Sequence, residues 1–261
     1  MTGLALVGIV IVAAAGLGIF FWYACSVPGS QVLGPALVRG PVDRPHVALT
    51  FDDGPAMPFT EQILDVLRER RVRATFFVCG RNVERHPEIA RRICAEGHAL
   101  GNHTYTHPFP YFLPRRRMAE EIDRTQVAIE RVTGKRPNIF RPPYGARWFG
   151  LYPELLKRGL RVVQWSDTGY DWKSDAATTA RSALANLRPG SVILLHDGQE
   201  GSGGFLEWAW REISGSDHRA ATGSPGREPI NRSHVVEALP GIIDGARKAG
   251  FEFVPLEDFL S

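Results

Sequence analysis

Cysteine is scarce in this chain, three in 261 residues, at positions 25, 79 and 94. Their spacing fits neither a zinc ribbon nor a disulfide framework. Cys79 follows the apolar run 74–78 and Cys94 falls on an apolar helical stripe, so both read as small buried residues. A Cys79 to Cys94 disulfide stays open in an oxidising compartment. An excess of one charge is also missing: 31 Lys and Arg against 28 Asp and Glu give a formal net charge of +3. That is too mild and too dispersed to argue for nucleic acid as a partner. The densest basic runs, 68–73 and 115–117, lie in helical patterns with acidic neighbours and read as solvated helix faces.

Charge is absent altogether from Leu4 to Ala24. These 21 residues, nearly all Leu, Val, Ile, Phe, Ala and Gly, are about what a helix needs to cross about 30 Å of hydrocarbon. A buried core helix of that length would show a polar stripe. Trp22 and Tyr23 close the run where amphipathic rings favour a membrane interface. Residues 1–25 therefore read as a transmembrane segment or signal anchor, with a cleaved signal peptide as the alternative because small residues follow at 26–30. No Lys or Arg precedes Arg39, so positive charge does not orient the span. A lipid anchor at Cys25 is disfavoured by the bulky Phe21, Trp22 and Tyr23 before it. Residues 26–45, rich in Pro and Gly, read as a linker.

Beyond the linker, apolar runs alternate with helical spacing over 46–261, long enough for one catalytic domain with one core. Seven β-branched or aromatic runs, near 46–51, 74–78, 98–102, 138–141, 161–165, 191–195 and 251–255, predict strands. Stretches near 59–70, 82–96, 117–133, 151–158, 175–187 and 234–249 predict helices. That alternation argues for parallel βα units, closed as a barrel or open as a doubly wound sheet. The segment 199–231 breaks the rhythm. It is rich in Gly and Ser, contains Phe205, Trp208 and Trp210, and reads as either a flexible lid over the site or plain disorder.

In parallel βα folds the reacting groups sit at the C-terminal ends of the strands. Here those ends carry Asp52 and Asp53, then His103 and His107, then Arg141 and Tyr144, then Asp171 and Trp172, then His196. Adjacent carboxylates after an apolar strand repel each other unless a cation is present. Two histidines four apart reach one ion if the segment turns helically, and two His with one Asp leave zinc an open position for water. Each signal alone has a plain explanation: a turn at Asp52 to Pro55, a solvated helix face at 103–107, a surface cation at Arg141, a core histidine at His196. His86 and His98 keep only such plain readings. The joint occurrence of the rest at five strand ends points to a metal site.

The ordered set Thr-Phe-Asp-Asp-Gly-Pro, His-Thr-x-x-His, Arg-Pro-Pro-Tyr-Gly, Asp-Trp and Leu-x-His resembles the five motifs of the polysaccharide deacetylases, carbohydrate esterase family 4, over residues 46 to 256. The resemblance implies a distorted (β/α) barrel of about seven parallel strands behind the N-terminal membrane helix, and one divalent metal ion, zinc first. It makes Asp53, His103 and His107 the metal ligands, Asp52 the general base and His196 the general acid. Arg141 and Asp171 become the pair that orients and tunes the catalytic groups. Tyr144 would give its backbone N–H to the oxyanion, and Trp172 and Leu194 would shape the acetyl pocket. The implied reaction removes N-acetyl groups from an amino-sugar polysaccharide such as chitin-like oligomers or peptidoglycan, by metal-activated water, outside the cytoplasm and at the membrane through residues 4–24. An O-acetyl polysaccharide esterase and a non-catalytic metal-containing carbohydrate-binding module are the alternatives. Relative to typical members the segment 199–231 looks like an insertion, and the fourth motif departs from the family's. Aligned on Asp171 and Trp172, the family's preceding Asp falls on Thr168, with Asp167 one residue earlier, and such a shift reverses a side chain's face in extended chain.

Overall fold

A computed structural model describes residues 3–198 and 231–260. The N-terminal run forms helix α1 (Gly3–Ser26), long and apolar enough to cross a membrane, by length and composition. Its last turn is tied down. Ala24 is buried, and the carbonyls of Cys25, Val27 and Ser30 all accept from the buried Arg147, the first from its backbone N–H and the other two from its guanidinium. Ser26 Oγ lies 2.8 Å from the Tyr111 hydroxyl. These bonds satisfy carbonyls at and just beyond the helix end that have no intrahelical partner. The stretch 26–45 accordingly has structure of its own: Ser30 is buried, and strand β1 (Ala36–Leu37) joins the sheet.

All seven expected strands form. They are β2 (His46–Asp52), β3 (Thr75–Val78), β4 (Ala99–Asn102), β5 (Ile139–Phe140), β6 (Arg161–Val163), β8 (Val192–His196) and β9 (Glu252–Phe253). Two more, β1 and β7 (Asp167–Thr168), have only two residues each, too short to show a period. Strand order is β1-β6-β5-β4-β3-β2-β8-β7, with β9 also pairing with β2, and every named pairing is parallel. The result is a distorted parallel (β/α) half-barrel.

The helices are α2 (Phe59–Arg70), α3 (Gly80–Arg85), α4 (Pro87–Ala95), α5 (Arg115–Thr133), α6 (Leu151–Lys157), α7 (Ala176–Leu184) and α8 (Ser233–Lys248). The single helix expected over 82–96 is two. Pro87 cannot donate into a helix ladder and instead opens α4, while His86 between the two has φ −127°.

Side-chain alternation in the central strands makes two cores. Leu49 and Phe51 of β2, with Phe76, Val78, Ile193 and Leu195, pack outward against α2, α4 and α8. Ala48, Phe77, Ile139, Val163 and Val192 pack inward with Leu256 and Phe259. Thr50 and Asp52 share the inward face with Ala48. A fully buried arginine, Arg141, lies over the Phe77 ring at 4.1 Å and reaches both of them. The inner face is therefore apolar at one end of the strands and ionic at the other.

Candidate metal and catalytic centre

β2 ends on Asp52, whose carboxylate stays on the inner face. Arg141 Nη1 donates to its Oδ1 at 2.7 Å and to Thr50 Oγ1 at 2.8 Å. The same guanidinium donates to the Gln164 carbonyl at 2.9 Å. A buried charge pair is stable only when its remaining donors are also satisfied, and the backbone at and just beyond β6 supplies those acceptors. Asp53 then turns out of the strand with φ 77°. The turn is braced from the end of β8: Asp197 Oδ1 accepts from Gly54 N–H at 3.1 Å and Oδ2 from the Thr60 hydroxyl at 2.7 Å. A Cβ on Gly54 would stand 1.9 Å from Asp197 Oδ2, so glycine is required there.

β4 leads into the two histidines. The segment 103–107 is not a helical turn, contrary to the expectation from the four-residue spacing. Thr104 and His107 adopt positive φ, 67° and 55°, and the chain bends between them. Each such residue costs of order 1–3 kcal/mol, which the surrounding hydrogen bonds must offset. The bend achieves what the helix was invoked for. His103 Nε2 and His107 Nε2 lie 3.4 and 3.3 Å from the same atom, Asp53 Oδ1.

Those three side chains fit a divalent ion. All are buried, and one possible ligand atom from each lies within 4.8 Å of the others. Tetrahedral bonds of about 2.0–2.1 Å place ligand atoms roughly 3.3 Å apart, matching the two separations above. Asp53 Oδ1 is buried yet accepts no hydrogen bond among the described residues, a costly state for a carboxylate oxygen unless a cation faces it. His103 Nδ1 lies 2.7 Å from the Arg141 carbonyl, so its N–H donates there and Nε2 keeps its lone pair for the site. Burial, opposed by Asp53, lowers the His107 pKa to about 4 and leaves it neutral, as a ligand must be. Burial also disfavours charge on Asp53, but His107, His103 and His196 hold its carboxyl well below the usual range.

His196 ends β8 directly opposite Asp52. The two are register partners on neighbouring parallel strands, so carboxylate and imidazole stand side by side at the sheet's C-terminal edge. Asp171 holds His196 twice, accepting from its backbone N–H at 3.1 Å and from Nδ1 at 3.0 Å. Burial opposes protonation of His196, but Asp171, Asp53 and Asp52 overcome it and raise its pKa to about 9.

Arg141 and Asp171, expected as one pair, serve different groups: Arg141 bonds Asp52 and Asp171 bonds His196. The cation near Asp171 is Arg232, buried, with Nη1 3.5 Å from Asp171 Oδ2 and Nε donating to the Gly198 carbonyl at 2.8 Å. Sequence reasoning missed Arg232 because it follows the segment without a period. Asp167 stays out of the site, accepting from the Ser166 hydroxyl at 2.6 Å with Arg39 3.6 Å away.

The rim is aromatic. Trp172 is 50% exposed and meets the His196 ring edge-on at 5.5 Å, and Tyr144, 47% exposed with φ 59°, packs on His107 at 4.6 Å. Leu194 is buried between strands. Trp165 lies beneath Arg141 and Trp148 joins a core cluster near α6, so neither is a rim ring. The three cysteines are separate thiols, Cys79 buried. The expected insertion at 199–231 lies outside the described residues apart from its last residue, Asn231.

Comparison with known proteins points to one family. Residues 39–162 match the family model described as polysaccharide deacetylase. A chitooligosaccharide deacetylase of Bradyrhizobium is 36% identical over 215 residues, covering 80% of this chain and 88% of that protein. A peptidoglycan-N-acetylglucosamine deacetylase of Bacillus cereus is 42% identical over 158 residues, 60% of this chain and 58% of that protein, so this chain matches little more than half of that relative. A crystal structure of a peptidoglycan N-acetylglucosamine deacetylase bound to a substituted N-hydroxybenzamide superposes with a TM-score of 0.70 at 34% identity, over 85% of this chain and 91% of that one.

Proposed function

The chain belongs to the polysaccharide deacetylase family, and on that premise we propose that it hydrolyses the N-acetyl groups of an amino-sugar polysaccharide, peptidoglycan or chitin-like oligomers, with one zinc ion held by Asp53, His103 and His107. The observation that carries the proposal is the register pairing of Asp52 with His196 beside that triad. An amide needs a proton removed from water and another delivered to the leaving nitrogen, and a binding module needs neither.

A bound zinc ion would polarise the acetyl carbonyl and acidify the attacking water. Asp52, kept in place by Arg141, takes the proton from that water. His196, kept charged by Asp171, gives its proton to the departing amine. The Tyr144 backbone N–H stabilises the charge that develops on the carbonyl oxygen, and Leu194 and Trp172 enclose the acetyl methyl. Acetate and a free-amine sugar result, so water, proton and leaving group balance. With α1 as its anchor, the chain would carry out this chemistry at a membrane, with the domain outside the cytoplasm where such glycans lie.

The test is acetate and free amine released from N-acetylglucosamine oligomers and from peptidoglycan by the full chain in detergent. Asp52→Asn and His107→Ala should each lose at least about 100-fold. Equal release by all three proteins would sink the mechanism, and acetate from O-acetylated glycans alone would make the chain an esterase.

A further inference from the structure

The two metal-site histidines are oriented by different means. The ring of His103 is fixed through Nδ1, against the Arg141 carbonyl. His107 Nδ1 is buried and finds no hydrogen-bond partner among the described residues, so its ring is placed by its backbone together with packing on Tyr144 and His103. That backbone lies in a bend with two positive-φ residues, Thr104 and His107, a conformation that persists only where neighbours hold it.

α5 does much of the holding. The Glu121 carboxylate accepts from the N–H of Tyr105 at 2.8 Å and the N–H of Thr106 at 2.7 Å through Oε2, and from the Thr106 hydroxyl at 3.0 Å through Oε1. Two successive amides aimed at one carboxylate form a small anion-binding concavity, and the charge strengthens each bond. One residue on, the Ile122 carbonyl and Gln126 Oε1 accept from the Asn102 amide at 3.0 and 3.2 Å, while Asn102 Oδ1 accepts from Thr104 N–H at 2.9 Å. The neighbouring Glu120 pairs with Arg116 and Arg117 on its own helix instead. Glu121 is thus directed at the loop between the histidines, and nothing in the reaction above uses it.

We propose that Glu121 is a positioning residue of the metal centre, its carboxylate shaping the 103–107 loop so that His107 meets Asp53 and His103 at ligating distance. This rests on the metal reading of the triad. Groups that orient ligands without touching the ion usually contribute about 10- to 100-fold to metal affinity. A carboxylate that merely stabilised α5 would leave the affinity of the folded protein unchanged.

The experiment measures zinc dissociation constants of the full chain in detergent by chelator competition, with circular dichroism to select folded protein, for wild type, His107→Ala, Glu120→Ala, Glu121→Ala and Glu121→Gln. Wild type and Glu120→Ala should bind one equivalent with equal affinity, Glu121→Ala about 10- to 100-fold more weakly, and His107→Ala weakest. Glu121→Gln keeps the length and one acceptor oxygen, so it should fold and bind about threefold or more weakly even if the alanine variant does not fold. Glu121 variants binding as wild type does, or weakened no more than Glu120→Ala, overturn the proposal while the difference between wild type and His107→Ala upholds the triad. No zinc binding by wild type overturns the triad reading itself.

Discussion

Two ion pairs divide the work at the residue scale. Asp52 with Arg141 is fully enclosed, and Asp171 with His196 stands at the rim beside Trp172. Because Asp171 raises the His196 pKa against burial, it sets the pH at which His196, the proposed general acid, loses its proton. Asp171→Asn keeps an acceptor but removes the charge, so His196 loses its proton at lower pH. The alkaline limb of kcat/KM should move down by about one to two pH units, measured as a pH–rate profile on N-acetylglucosamine oligomers. An unmoved limb would mean that another group supplies the acid. These residues were legible in the sequence because most follow an apolar strand directly. Arg232, which backs Asp171, was not: the sequence before it has no strand-like period, and its contact crosses from the start of α8.

At the scale of elements, the bends matter more than the strands. Period-two and period-3.6 patterns reveal β2 to β6 and the long helices, since burial on defined faces dictates them. Patterns do not reveal the left-handed bend at 103–107, because the local Asn102 bond to Thr104 is only part of what holds it and the tertiary bonds from Glu121 supply the rest. His98 is a second case. Given only a plain reading from sequence, it is buried at the entry to β4, where Nδ1 accepts from the Ala74 N–H at 3.1 Å and the ring meets Phe76 edge-on. Burial lowers its pKa to about 4. The unfolded chain binds that proton below about 6.5, so His98 contributes stability that is complete above that pH and lost as pH falls toward 4. The limiting slope for one proton is about 1.4 kcal/mol per pH unit. Urea unfolding of wild type should show this loss, and His98→Gln, which cannot titrate, should show a shallower one. Parallel pH dependences in the two proteins would remove His98 from the account.

For the molecule as a whole, the question is how the apolar helix α1 and the half-barrel are joined. A run of Pro and Gly after α1 suggests a loose tether, yet Arg147 gathers the carbonyls of Cys25, Val27 and Ser30, and Tyr111 reaches Ser26. Arg147 and Tyr111 belong to the same loops that carry Tyr144 and Phe109, whose rings pack at 5.4 Å beside His107. The apolar helix is therefore joined to the mouth of the site rather than to its far end. Arg147→Ala should raise amide hydrogen exchange at residues 25–31 by roughly tenfold or more with barrel amides unchanged, and unaltered exchange there would make the clamp unimportant. Composition cannot show such a clamp, since Arg147 follows Arg-Pro-Pro-Tyr-Gly-Ala with no local sign of its distant partners.

The central claim is that Asp53, His103 and His107 hold the ion that deacetylation requires, and it is tested most directly by acetate release from N-acetylglucosamine oligomers after chelation. Release should stop when the full chain is stripped of metal and return with one equivalent of zinc, and His107→Ala should not recover under the same addition. Undiminished release by the stripped wild type would contradict the claim.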